Sequence, residues 1–368
     1  MKPLAVAAWS LLTPLGDVEA TVDALFEQRS GFSPQPSRWK LRNPLAAVVG
    51  ERPGHANSDG QWQRYLATHV LREVLGAIPP GAQKIADRCA FVFATSYGHL
   101  LDDAGADTMS TWAKDCVLGL HYDLDPIVVG SGCSSGSDAL GVAAAMLDRG
   151  VIDVAFVVAV DIVTAAKRLA HSMLGTMTAF RHMPFDRARS GMLLGEASAA
   201  VALVRSEDCL VRKGELLGIG ASNDAHGLTS PDSSGLSVHL ALERALLAAG
   251  LNSEDMALYL AHGTGTQLND ALEARVVEEV FAGNETLAVV GTKGALGHSL
   301  GACGLLEFIL LLQMLERQAA PATVGLTDPI AGVAARFPQA GGRSLNGRCG
   351  VSVTLGFGGF NTALIGRA

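Results

Sequence analysis

Charge and aromatic side chains are both scarce in this sequence: charged residues make up 17% and aromatics 5% of its 368 positions. With hydrophobic residues at 49%, that balance excludes a disordered chain, which needs the opposite composition. No Lys/Arg-rich run occurs, nor any interleaving of basic and aromatic residues, so no nucleic-acid partner is expected. The formal net charge is −8 with ten histidines counted neutral. CxxC spacing is absent. Cys89, Cys116, Cys133, Cys209, Cys303 and Cys349 are scattered, so no zinc cluster is indicated, and a chain of this size needs no disulfide framework. A reducing, cytoplasmic compartment is the expectation. No apolar run reaches bilayer length. The most apolar stretches, Val151–Val163 and Leu305–Leu315, are broken by Asp153, Asp161, Glu307 and Gln313, and read as buried core rather than membrane spans. Lys2 and the stretch Leu4–Leu12 imitate a signal peptide only loosely, because Ser10 interrupts them and no convincing cleavage site follows.

Glycine, by contrast, is abundant at 42 residues, and it punctuates an alternation of apolar strands and helices. The first half reads as a strand over 3–9, a helix over 18–28, a surface excursion over 30–60 and a helix over 61–77 ending near Pro79-Pro80-Gly81. A strand over 90–95 and an irregular polar segment over 96–125 follow, then strands over 126–129, 154–160 and 199–204. The second half repeats the plan: strands over 216–221, 257–261 and 287–290, helices over 237–249 and 270–281, an apolar helix over 300–317, and a closing hairpin over 350–365. Each half holds a strand, a Gly-rich turn and a buried, small-residue-rich helix. The pattern predicts a duplicated α/β unit, with residues 1–206 and 207–368 as its two halves.

Three chemistry-bearing residues fall at strand ends, where ligands gather in α/β folds. Cys133 lies in Gly130-Ser131-Gly132-Cys133-Ser134-Ser135-Gly136, between a short strand and a helix patterned by Leu140, Ala143, Ala144 and Leu147. Free helix N–H groups and the dipole there favour a thiolate, although a cysteine in such a turn can equally be a core residue. His262 follows the strand over 257–261, and His298 follows the strand over 287–290 through Gly291-Thr292-Lys293-Gly294-Ala295-Leu296-Gly297. A His-Gly or Gly-His pair alone is commonly a structural turn. A thiolate beside two histidines, however, suits acyl transfer through a thioester.

The phrases around these residues resemble the β-ketoacyl-acyl carrier protein synthases of the thiolase fold, in their Cys-His-His branch. The likeness rests on Thr13-Pro14-Leu15-Gly16, Gly132-Cys133-Ser134-Ser135-Gly136, Pro184-Phe185-Asp186, Leu194-Gly195-Glu196, Asn223-Asp224-Ala225-His226, His262-Gly263-Thr264-Gly265-Thr266, Lys293 through Gly304, and Gly356-Phe357-Gly358-Gly359. It implies a five-layered α/β/α/β/α thiolase-like fold and an acyltransferase that condenses a Cys-bound acyl chain with malonyl-acyl carrier protein, in fatty-acid or polyketide biosynthesis. It further implies that Cys133 is acylated, that His262 and His298 promote decarboxylation, and that Lys293, paired with Glu273, supports the site electrostatically. The N–H groups of Cys133 and Phe357 would form the oxyanion hole, with Phe357 as the gate. Thr264, Thr266, Thr229 and Ser230 would meet a phosphopantetheine arm delivered on the carrier protein, with no other cofactor and no metal. A homodimer, or a heterodimer with a homologous subunit, is implied, and a chain-length or initiation subunit without turnover is the alternative. The sequence departs from the family in a shortened region around 96–125 and on the approach to Pro184, and in Ser131, Val353-Thr354-Leu355 and Phe360, which suits a specialised secondary-metabolism enzyme.

Overall fold

The computed structural model describes residues 1–78, 88–97, 110–209 and 211–368. The helix stop expected at Pro79-Pro80-Gly81 and much of the segment 96–125 lie outside these. The first half runs β1 (Leu4–Leu12), α1 (Val18–Phe26), β2 (Phe32–Pro34), β3 (Leu45–Ala47), α2 (Asp59–Ala77), β4 (Cys89–Ala94), α3 (Thr111–Leu118), β5 (Ile127–Val129), α4 (Ser135–Asp148), β6 (Val154–Asp161), α5 (Ala165–Met173) and β7 (Ala197–Arg205). The second runs β8 (Gly214–Asn223), α6 (Leu236–Ala249), β9 (Met256–Ala261), α7 (Gln267–Val280), β10 (Ala288–Gly291), α8 (Lys293–Leu296), α9 (Cys303–Glu316), β11 (Ala319–Ala320), β12 (Arg343–Ser344), β13 (Cys349–Leu355) and β14 (Phe360–Arg367).

β-Branched and small apolar residues make the strands. β6 reads VAFVVAVD and is buried at every position, as a strand covered on both faces must be. The large sheet has the order β10-β9-β13-β14-β8-β1-β7-β6-β4-β5. From its outer edges inward, β5-β4-β6-β7-β1 and β10-β9-β13-β14-β8 are the same topology. In each, the first three strands pair in parallel and the remaining pairings are antiparallel. β1 meets β8 over Leu4–Val6 alone, so the sheet is two half-sheets touching at one seam.

Three apolar clusters separate the layers. The first joins α1, α4 and α9 to the facing sides of both half-sheets. The second packs α2 and α3 on the outer face of the first half-sheet, and the third packs α6 and α7 on the second. The order is helices, sheet, helices, sheet, helices: the five layers expected. α9 is buried on nearly all sides, and each of its Leu, Ile and Phe side chains contributes about 1.5–3 kcal/mol of burial. α4 and α9 approach closely because Gly304 faces Ser137: a Cβ at Gly304 would lie 2.7 Å from the Ser137 backbone N.

Two expectations are corrected at this level. The stretch 30–60 is not purely a surface excursion. β2 pairs with β3, Ala46 and Ala47 are fully buried, and Ala47 bridges to Gly195, because an apolar Leu45-Ala46-Ala47 run is cheaper to bury than to expose. The helix over 300–317 begins as a 3-10 turn, Leu300–Ala302, and becomes α-helical only at Cys303.

Candidate active site

Cys133 sits in a 3-10 turn, Gly132–Ser134, between β5 and α4. Hydroxyls hold that turn. Ser135 Oγ accepts from Ser131 N at 3.0 Å and donates to Gly132 O at 2.7 Å. Ser131 and Ser134 both donate to Asp138, Ser134 at 2.7 Å. The backbone N–H groups of Phe357 and of Cys133 itself face the sulfur, the pair the resemblance implied for the oxyanion hole. The thiolate expectation needs correcting. Cys133 is 6% exposed, and burial pushes its thiol up to about 11, a stronger effect than the opposing N–H of Phe357 and charge of Lys293. The resting group is a thiol.

His262 is the first residue after β9, and its loop is fixed by Glu273 on α7. Glu273 accepts from His262 N at 2.7 Å, Gly263 N at 2.8 Å and the Tyr259 hydroxyl at 3.1 Å. Burial raises the Glu273 carboxyl to about 7, against those N–H donors. The expected pairing of Glu273 with Lys293 is therefore corrected: Lys293 Nζ donates to Glu307 Oε1 on α9 at 2.6 Å, where Thr292 Oγ1 also donates at 2.9 Å. Burial opposes the Lys293 charge, but Glu307 holds its ammonium above the usual lysine range. Glu273 is occupied by backbone donors and braces the His262 loop instead.

His298 follows α8 and joins the strand-like segment at Leu194: its N–H donates to Leu193 O at 2.8 Å, and its carbonyl accepts from Gly195 N at 3.0 Å. The His298 and His262 rings lie 5.2 Å apart at 83°. Burial first, then the Lys293 charge, holds both imidazoles well below their ordinary pKa, so both are neutral. Leu300 N donates to His298 Nδ1 at 3.3 Å, which places the His298 proton on Nε2. His298 therefore presents an N–H donor.

One cavity of about 330 Å³ collects these groups. Cys133, His262, His298, Phe357, Thr264, Thr266, Thr229 and Ser230 all line it, while Lys293 and Glu273 stand behind the wall. Thr264 and Thr266 share a hydrogen bond of 3.0 Å. Ser190, Gln267 and Asn269 also line the cavity, and no sequence pattern singled them out. Glu307 was legible only as a charge interrupting an apolar helix, yet a carboxylate at such a position needs a buried cation nearby. Cys303 donates to Cys133 O at 3.3 Å beneath the nucleophile, and it carried no signal either. Ligand atoms of His262, Cys303 and Glu307 lie within 4.8 Å of one another, as metal ligands do. The Lys293 ammonium already occupies Glu307 there and would repel a cation, so the trio does not fit a metal.

Residues 125–209 match the family model described as "Beta-ketoacyl synthase, N-terminal domain", and residues 213–327 match "Beta-ketoacyl synthase, C-terminal domain". Together the two spans exceed half of the chain. The chain is 33% identical over 249 residues to the mitochondrial 3-oxoacyl-(acyl-carrier-protein) synthase of Arabidopsis thaliana, covering 63% of this chain and 54% of that protein. It is 29% identical over 270 residues to 3-oxoacyl-(acyl-carrier-protein) synthase 2 of Coxiella burnetii, covering 68% and 64%. These alignments span little more than half to under two thirds of the curated relatives. Among solved structures, the ishigamide ketosynthase/chain length factor superposes with a TM-score of 0.88 at 22% identity, over 100% of this chain and 99% of that one. The ketosynthase ApeO in complex with its chain length factor ApeC, from Xenorhabdus doucetiae, gives 0.83 at 22%, over 100% and 98%.

Proposed function

The chain belongs to the β-ketoacyl synthase family, and from that premise we propose that it catalyses decarboxylative condensation of an acyl chain with malonyl-acyl carrier protein. The observation that carries this reading is the single cavity lined by Cys133, His262, His298 and Phe357. In the first step the Cys133 sulfur attacks an acyl thioester on the carrier protein. The tetrahedral oxyanion sits against the N–H groups of Cys133 and Phe357, and the pantetheine thiol leaves with the proton that Cys133 gives up.

In the second step the malonyl thioester loses CO2. The electron pair of the breaking C–C bond becomes an enolate, whose oxygen accepts from His298 Nε2–H and from His262. A neutral donor stabilises that oxygen without delivering a full proton, which is what C–C bond formation requires. The enolate carbon attacks acyl-Cys133, the same oxyanion hole is used again, and the sulfur departs and takes up a proton from solvent. Burial keeps both imidazoles neutral, and the Lys293 charge, held in place by Glu307, adds to that effect. Thr264, Thr266, Thr229 and Ser230 flank the cavity where the phosphopantetheine arm, brought on the carrier protein, enters. We take Phe357, in its Gly-rich loop, as the movable wall between acyl chain and extender, and a second homologous subunit, identical or not, as the partner.

Intact-protein mass after incubation with acyl-carrier proteins tests the first step. An acyl mass gained by the wild type and absent from Cys133→Ala is expected. No adduct with any chain length, even beside a homologous subunit, would leave a chain-length subunit as the better reading.

A further inference from the structure

His171 does not line the cavity but packs against Phe357, which does, and the proposed chemistry does not use it. It lies on α5, is 8% exposed, and its ring stands 6.0 Å from the Phe357 ring at 32°, within the range at which rings pack in pairs. Thr176, which lines the cavity, fixes the imidazole. Thr176 Oγ1 donates to His171 O at 3.2 Å, so at 2.9 Å it accepts from His171 Nδ1. The helix beneath is anchored in its turn. Lys167 donates to Asp161 and to Ile162 O, and Arg168 donates to Pro36 O and Pro44 O, both at 2.8 Å. His171 is thus a rigid surface. Phe357, by contrast, is flanked by Gly356 and by Gly358 and Gly359, whose φ values of +83° and +78° are readily adopted only by glycine. The ring of Phe357 rests on His171 while its N–H faces the Cys133 sulfur.

We propose that His171 is the positioning residue that seats Phe357 in the closed conformation, so that cavity wall and oxyanion-hole N–H are set by one contact. This rests on the reading of Phe357 as a movable wall. His171 acts through Phe357 and not on the substrate. Loss of the seat lets the loop swing away, uncovers Cys133 and misaligns the N–H.

The test is the rate at which iodoacetamide alkylates Cys133 in wild type, His171→Ala, Phe357→Ala and the double variant. It is followed at one pH by the mass of the proteolytic peptide that carries Cys133, because Cys89, Cys209 and Cys349 are also free and more exposed. No carrier protein is needed, so the outcome is separate from whether the chain condenses acyl groups. His171→Ala is expected to raise the rate several-fold in the wild-type background and to add nothing in the Phe357→Ala background. Thr176→Val, which frees the imidazole without removing it, should move the rate in the same direction. His171→Phe, which keeps a ring in place, should stay within about twofold of wild type. An unchanged or slower rate in His171→Ala, or an equal increment in both backgrounds, overturns the proposal.

Discussion

The Cys133 sulfur sits between two opposed effects. Burial favours the thiol, and the N–H groups of Phe357 and Cys133 favour the anion. Burial wins, so the thiolate fraction rises about tenfold per pH unit throughout the accessible range. Alkylation of Cys133 should still be climbing at about pH 9.5, whereas a plateau near neutrality would contradict the assignment. His182 gives a second prediction at this scale. Its Nε2 donates to Thr264 O at 2.8 Å and its Nδ1 accepts from Leu193 N at 3.4 Å, and burial lowers its pKa to about 4. The folded value lies below the unfolded one, so the unfolded chain binds the extra proton between them. The stability that neutral His182 contributes is present above about pH 6.5 and is lost as pH falls. Relative to His182→Gln, wild type should lose about 1.4 kcal/mol per pH unit between about pH 6 and 4, read by urea titration. At this scale the sequence named Cys133, His262, His298 and Phe357, because each sits in a phrase with little freedom, and missed Ser190, Gln267 and Asn269, which reach the cavity from stretches without such a phrase. It misassigned the partner of Lys293, because Glu307 and Glu273 both lie one helix away and only packing decides between them.

Among the elements, α9 carries the greatest consequences. Its apolar character was plain from Leu305 to Leu315, and so was its central position. What was not plain is how close it comes to α4. A methyl at Gly304 meets the Ser137 hydroxyl, which can rotate away, and the Ser137 backbone N, which cannot move without shifting the nucleophile helix. Gly304→Ala should therefore cost about 1–3 kcal/mol and slow Cys133 acylation as well; unchanged stability in chemical denaturation would contradict the packing. Glu307 lies on the same helix. Glu307→Ala strands the Lys293 ammonium without its counter-ion and should cost about 3–5 kcal/mol, while Lys293→Met combined with Glu307→Leu should regain most of it. The loops were harder to read: Leu45–Ala47 looked like exposed chain because its burial depends on Leu194 and Glu196, far away in sequence.

At the scale of the whole molecule, repetition was visible as two similar series of strands and turns. The seam between them was not, since β1 and β8 pair over three residues only. Cys133 comes from one half and His262 and His298 from the other, so the cavity exists only while the shared middle layer holds both. Trp9, Trp39, Trp62 and Trp112 all belong to the first half. Tryptophan fluorescence reports that half, and far-ultraviolet circular dichroism reports both. Their denaturation curves should coincide; separate midpoints would mean that the middle layer does not couple the halves. Whether both halves build one condensing site is decided by a single-turnover experiment. Acyl-Cys133 enzyme, freed of acyl donor, is mixed with malonyl-carrier protein, and the masses of both proteins are followed. The acyl mass should leave the enzyme and appear on the carrier protein as a β-ketoacyl chain, with loss of CO2, and His298→Ala should retain its acyl group. An acyl-enzyme that persists beside unconsumed malonyl-carrier protein would contradict a single condensing site.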